Sequence, residues 1–314
     1  MNQHASPSQY RPSFDRAELD QKINASVDTK ALKQTEIFAV GCGGANNVYE
    51  NLVRIGIRKL TVIDFDRVGP SNLVTQGWYG DQLGKHKVEA LRENAARVLP
   101  TPQTDTGALN LMPGDFLKLS DGELEHLAGD ADLLMFMADD FYAQARGNRL
   151  ALKLQKPAIF AMMYDKARCC EVTFIIPGVT PACHRCATSS RYEAYLAKGY
   201  SNDVTSDGSL IFQTHAINSI IGMLALAILH NDRPGYEFSG WFGSHWERNL
   251  LQFRLSPKYE SNLFRRVFAA PQAFCFDTVW QKIEPECAPK YVPCPDCGGS
   301  GDLTKATIAT TVVN

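Results

Sequence analysis

Short apolar runs alternate along this chain with longer stretches whose apolar residues recur at helical spacing. Ile37-Phe38-Ala39-Val40 ends at Gly41 and gives way to a helical pattern over 46–55; Leu60-Thr61-Val62-Ile63 then ends in Asp64-Phe65-Asp66. A short apolar run bounded by a turn reads as a strand buried on both faces, and apolar positions at three- and four-residue intervals read as a helix. Strand, glycine turn, helix and strand make a βαβ unit. The alternation continues with a helix over 87–98, a strand at 132–137, a helix over 142–154 and a strand at 157–162. That order predicts an α/β fold with a mainly parallel sheet, helices on both faces and ligands at the carboxyl ends of the strands.

Past Cys169 the pattern changes. Residues 171–176 alternate into a Pro-Gly turn, 189–208 are polar and turn-rich, an apolar helix starts at Phe212, and strand-like runs such as 250–255 follow. This half is expected to be more antiparallel and to carry a substrate-facing surface. Residues 1–30 surround a short helical pattern near 17–23 and read as an arm. The apolar stretch 216–229 is short for a bilayer and is interrupted by Asn218 and Ser219, so it reads as a buried helix.

Composition narrows the classes. With 45% hydrophobic and 21% charged residues the chain can bury a sizeable core. Its 32 Lys and Arg against 34 Asp and Glu leave a net charge of −2, without the basic footprint of a nucleic-acid binder. Neither nucleic acid nor membrane is expected as a partner. The first ten residues lack the apolar core of a secretory signal, which points to the cytoplasm. Nine cysteines include two Cys-x-x-Cys pairs, and without an export signal metal binding or redox chemistry fits them better than a disulfide framework.

Two groups of residues carry candidate chemistry. Gly41-Cys42-Gly43-Gly44-Ala45-Asn46 lies between a strand and a helix, where backbone amides and the helix N-terminus favour a phosphate. Asp64 and Asp66 follow the next strand, where a carboxylate can accept hydrogen bonds from ribose hydroxyls. Lys87 opens a helix downstream and is placed for a phosphate contact. Asp139 closes a strand at the sheet's carboxyl edge and can hold magnesium beside a triphosphate. The alternatives are an unliganded turn with solvated charges, or an NAD-linked dehydrogenase, although Asn46 stands where a dinucleotide fingerprint has its last glycine. Cys183/Cys186 and Cys294/Cys297 form the second group. Each pair has the spacing of tetrahedral zinc, and four thiolates leave no open position, so a shared ion is structural. Ordinary reduced thiols or a redox pair are the alternatives, and His184 is expected as a neighbour of the ion.

Taken in order, Gly41-x-Gly43-Gly44, Arg54-Ile55-Gly56-Ile57, Asp64-Phe65-Asp66, Ser71-Asn72-Leu73, Gly84-x-x-Lys87, Asp139 and the two cysteine pairs resemble the ThiF/MoeB/HesA family of ubiquitin-activating, adenylyltransferase-type enzymes. The resemblance implies a Rossmann-like, mainly parallel half continued by an antiparallel half in one sheet, with a four-cysteine zinc staple. It divides the chain into an arm (1–30), an ATP-binding half (31–180), a crossover, zinc-binding and substrate-facing half (181–300) and a tail (301–314). It further implies a homodimer that uses ATP and magnesium to activate the C-terminal carboxylate of a small ubiquitin-like protein or peptide as an acyl adenylate. By position, Asp64 would hold the ribose, Asn72 and Lys87 the phosphates and Asp139 the magnesium, with Lys87 and Asp139 catalytic. A carboxylate is already ionised at neutral pH, so its attack on the α-phosphate needs no general base.

The chain departs from the family in three places. Thr75 replaces a phosphate-contacting arginine, Ala138-Asp139-Asp140 replaces Thr-Asp-Asn, and Arg146 falls two residues beyond the usual arginine. Arg11 or Arg16 of a partner's arm would then be the substitute cation, and a catalytically decayed binding module is the competing reading. A thioester nucleophile, if the chain has one, would be Cys275 or Cys287.

Overall fold

The computed structural model describes residues 16–98, 109–196, 209–256, 278–281 and 294–298. It opens with α1 (Arg16–Ile23) and α2 (Thr29–Leu32), then β1 (Glu36–Val40), α3 (Asn46–Ile55) and β2 (Lys59–Ile63). Next come α4 (Asn72–Thr75), α5 (Lys87–Val98), β3 (Leu109–Met112), α6 (Asp121–Ala128) and β4 (Leu133–Phe136). α7 (Phe141–Leu154) and β5 (Ala158–Met163) complete the alternating part. β6 (Cys169–Ile175), α8 (His184–Ala187), α9 (Ser189–Leu196), α10 (Ile211–Leu229), β7 (Leu250–Arg254) and β8 (Thr278–Gln281) follow.

The strands form one eight-stranded sheet in the order β3-β2-β1-β4-β5-β6-β7-β8. β1 to β5 pair in parallel, with Ile37 opposite Leu60 and Leu133, while β6, β7 and β8 pair antiparallel onto β5 and one another. The Rossmann-like half continued by an antiparallel half is therefore present. Order reverses between β1 and β4, and the crevice at such a switch point is where open α/β sheets bind ligands.

The continuous apolar runs have a direct cause. Ile37 and Ala39 of β1 join a core shared with α3, α5 and α10, while Phe38 and Val40 join a second core with α6, α7 and the four paired cysteines. With both faces covered, alternation disappears. Helix ends are specified locally. α3 stops at Gly56, whose φ of 93° lets its amide bond the carbonyls of Leu52 and Val53. Ser120 and Glu123 form a reciprocal capping box at α6, and Asp140 caps α7 by accepting from the Ala143 amide at 2.7 Å.

Two expectations need correction. The apolar helix starts at Ile211, one residue before the expected Phe212, but it is not too short for a bilayer: α10 runs 19 residues and is long and apolar enough to cross a membrane by length and composition. In this fold it packs on α3 and α4, burying Ile217, Ile221, Leu224 and Ala225, while Phe212 and Met223 stay exposed. The sequence pattern also gave no strand or helix between 99 and 131, where β3 and α6 lie. Ser120 and Glu123 were the available signal for the helix.

Candidate nucleotide cleft and cysteine centre

The carboxyl ends of β2, β1, β4 and β5 border one cleft of about 510 Å³. Gly41, Gly43, Gly44, Asp64, Asp66 and Asn72 line it, and so do Lys87 and Asp139. Gly41 has a φ of 90°, and a Cβ there would lie 2.6 Å from the Ala138 nitrogen, so the turn tolerates no side chain. Tyr49 donates its hydroxyl to the Gly41 carbonyl at 2.7 Å. Asp64 holds the rest of the turn: one carboxylate oxygen accepts from the Cys42 amide at 2.5 Å and the other from the Asp66 amide at 2.7 Å. Burial pushes the Asp64 carboxyl above the usual range, against the pull of the Lys87 ammonium and the two amides.

Lys87 is 8% exposed and donates to Asp66 at 2.7 Å, while Asp66 is half exposed. Its Nζ would stand 3.4 Å from a Cβ on Gly43, which puts the ammonium at the wall of the glycine turn. Asn72 accepts from the Gly69 amide at 2.8 Å, which leaves its NH₂ group as its donor. Asp139 is open to solvent at the end of β4. Protein packed around it still makes desolvation the largest influence, raising its carboxyl; Lys87 works against the rise, and Asp66 and Asp140 add to it.

Behind this wall, Gln144 of α7 donates to the carbonyls of Ala138 at 2.9 Å and Ala161 at 3.0 Å, fixing the ends of β4 and β5. Arg191 of α9 in turn donates to Gln144 at 2.8 Å and to buried Glu171 at 2.8 Å. The helix that follows the first cysteine pair is thus tied to the back of the cleft.

Cys183, Cys186, Cys294 and Cys297 are all buried, and their sulfurs lie within 4.8 Å of one another. Adjacent sulfurs are 3.8, 3.9 and 3.6 Å apart. Zinc–sulfur bonds of about 2.3 Å in a tetrahedron place sulfurs about 3.8 Å apart, which these three separations match. A polar shell surrounds it. Asp296, 1% exposed, accepts from Arg185 at 2.9 Å, Arg149 at 3.3 Å and Asn148 at 2.9 Å. His184 contributes no sulfur-like ligand: its ring stacks on Phe160 and Nδ1 meets the Thr173 hydroxyl at 2.6 Å.

Comparison with known proteins decides the family: the ThiF family profile matches residues 17–262. The chain belongs to the ThiF family. Among curated relatives of this ThiF-family chain, ubiquitin-like modifier-activating enzyme 5 of Dictyostelium discoideum is 29% identical over 178 residues, covering 55% of this chain and 46% of the relative. The Caenorhabditis briggsae protein of the same name is 27% identical over 177 residues, covering 55% and 41%. The chain thus spans less than half the length of either. E. coli MccB solved with ATP shares the fold with a TM-score of 0.57 at 16% identity, covering 81% of this chain and 65% of MccB. MccB with MccA-N7isoASN gives 0.57 at 15% identity, covering 81% and 66%.

Membership sets the dehydrogenase alternative aside, and the geometry redirects several ThiF-family expectations. Arg146 is 2% exposed and bonds the carbonyls of Phe116 and Leu119, both at 2.7 Å, and Asp121 at 2.9 Å; it braces the β4-side loop and does not reach the cleft. Arg16 donates from Nε to Asp20 and from Nη1 to the Arg54 carbonyl, both at 3.0 Å, while its Nη2 has no hydrogen-bond partner among the described residues. Thr75 turns its hydroxyl onto the Ser71 carbonyl at 3.1 Å. Cys42, Cys169 and Cys170 are buried, and burial pushes all three thiols up. Arg11, Cys275 and Cys287 lie outside the described residues.

Sequence reasoning missed the α10 side of the cleft. Asn218 donates to the Gly44 carbonyl at 2.7 Å and Thr214 donates to the Thr75 carbonyl at 2.8 Å, so one helix braces both the glycine turn and α4. Asn218 was visible as a polar break in an apolar run, but only the fold reveals what it meets.

Proposed function

We propose that this ThiF-family chain is an adenylyltransferase that binds ATP with magnesium and activates the C-terminal carboxylate of a small ubiquitin-like protein or peptide. The observation that carries the reading is the shared cleft: a glycine turn after β1, a ribose-type acid after β2, an edge carboxylate after β4 and the buried lysine that opens α5 line one space. Asp64 would accept from the ribose, the turn amides with Asn72 and Lys87 would hold phosphates, and Asp139 would hold magnesium. Magnesium bound there supplies positive charge to the departing pyrophosphate. The amides and Lys87 are preorganised toward the same charge, which is where electrostatic catalysis acts. The similarity to activating enzymes for ubiquitin-like modifiers, and to MccB solved with ATP and with a form of MccA, supports this substrate class.

The four sulfurs would carry zinc as a closed, structural ion. We read the protein as a homodimer, with Arg11 or Arg16 the arm arginine for a partner's site; sedimentation giving only monomer with activity intact would remove this part. A decayed binding module keeps one specific support, the arginine replaced by inward-turned Thr75. Labelled pyrophosphate should exchange into ATP in the presence of magnesium and a cognate carboxylate. No exchange with a partner that demonstrably binds would replace the enzyme reading with the module.

A further inference from the structure

The turn between β5 and β6 carries the most strained backbone at the cleft. Lys166 has φ 53° and ψ 27°, and Ala167 follows with φ 49°. Two successive non-glycine residues in the left-handed region are disfavoured by contact of Cβ with the backbone, and glycine would occupy either place without cost. The turn is held from outside. Gln213 donates its side-chain amide to the Lys166 carbonyl at 3.3 Å and the Ala167 carbonyl at 3.1 Å, while its oxygen accepts from the Leu210 amide at 2.8 Å. One side chain thus caps α10 and pins the strained turn. Strain maintained in this way at the rim of a site points to a use for the side chain it presents.

The presented side chain is a cation. Lys166 is exposed, lines the cleft and pairs with no acid among the described residues. Lys87 is the other described cation on the lining, and Asp66 already pairs with it. Five acids, Asp64, Asp66, Asp115, Asp139 and Asp140, line the same space. A triphosphate therefore enters a cleft short of positive charge among the described residues, with Thr75 in place of an arginine and Arg146 committed elsewhere.

Strand order fixes where Lys166 stands. Adjacent carboxyl ends of β2, β1, β4 and β5 carry, in sequence across the sheet, Asp64, the glycine turn, Asp139 and the turn with Lys166. A nucleotide with its ribose at Asp64 and its α-phosphate at the glycine turn runs past Asp139 toward Lys166. We infer that Lys166 binds the β- and γ-phosphates of ATP, supplying the charge that Thr75 does not. This rests on the reading of the cleft as an ATP site.

The test uses the full chain and calorimetric titration with magnesium-ATP and, separately, AMP, beside melting curves. Lys166→Ala and Lys166→Asn should bind ATP about tenfold more weakly, the scale of one lost charge-assisted contact, with AMP affinity unchanged. Lys166→Arg should recover most of the loss. Lys166→Asn should melt no lower than wild type, because asparagine tolerates the left-handed region better than lysine. Equal ATP affinity in wild type and Lys166→Ala would overturn the assignment and give the lysine to another anion. Parallel loss of ATP and AMP would also overturn it, since that would be a defect of the turn itself. A wild type that binds neither nucleotide would remove the ATP reading of the cleft and the inference with it.

Discussion

The cleft and the cysteine centre are built on opposite plans. The cleft takes most of its groups from the residues that follow successive strands, leaves Asp66, Asp139 and Lys166 open to solvent and accumulates unfavourable features: crowded carboxylates, a side-chain-free turn and a left-handed lysine. The cysteine centre collects ligands from distant segments, buries all four and satisfies the charge beside them with two arginines and an asparagine. On the proposed reading, one region would take an occupant that comes and goes and the other an ion that stays. Stability should therefore reside in the second and be given up in the first.

The largest effect should come from the cysteine centre. Structural zinc sites contribute on the order of 10 kcal/mol or more of apparent binding free energy, which is also folding free energy. Cys294→Ser with Cys297→Ser should abolish stoichiometric zinc and cooperative melting alike. Zinc retained by the double variant would show that the four sulfurs are not its ligands.

Arg191, on the helix that follows the first cysteine pair, bonds Gln144 and Glu171 behind the cleft, so its loss should be felt in both fold stability and nucleotide binding. Arg191→Met leaves Glu171 buried without its cation, a change that costs about 3–5 kcal/mol in comparable buried pairs. A lowered melting temperature together with a raised KM for ATP is expected. A shift in melting alone would separate the regions.

Asp139→Ala should reduce pyrophosphate exchange by about 10²- to 10³-fold while the protein melts no lower than wild type, and Lys87→Ala should also lose much of the activity. Undiminished exchange in Asp139→Ala would rule out the magnesium role.

The smallest effect reads the opposing trend within the cleft. Because the folded protein raises the Asp139 carboxyl, the native state binds more protons than the unfolded chain as pH climbs through the carboxylate range. Its contribution to stability is thus present at low pH and is lost as pH rises through the raised pKa. Asp139→Asn should melt slightly above wild type at neutral pH, and the gap should close near pH 4, about the unperturbed carboxylate value. A variant that melts lower at neutral pH would contradict a cleft that gives up stability for function.

The same contrast explains what the chain reveals before it folds. The cleft residues stand beside strand ends, so the runs ending at Gly41 and Asp64 already imply a site at the carboxyl edge. The cysteine pairs announce themselves by spacing alone. What stays hidden depends on distance along the chain. Arg146 sits near an expected arginine position, yet its buried guanidinium is captured by the Phe116 and Leu119 carbonyls. Gln213 and Lys166 meet across two elements, and no local pattern marks a lysine as left-handed. β3 was missed because Leu109-Asn110-Leu111-Met112 is a four-residue edge strand, too short to establish a period.

Joining Cys183 and Cys186 to Cys294 and Cys297 also gives the protein an order of assembly. During synthesis the second pair leaves the ribosome about 5–20 s after the first at ordinary elongation rates. Through that interval the first pair offers two sulfurs, too few to close a tetrahedron, and Asp296 has not arrived to meet Arg149 and Arg185. Capture of a metal by all four sulfurs would thereby wait until the chain from β1 to β8 has been synthesised. A chain that stops before Cys294 has no closed metal site to hold it, and carries its unfinished state openly to whatever degrades misfolded protein.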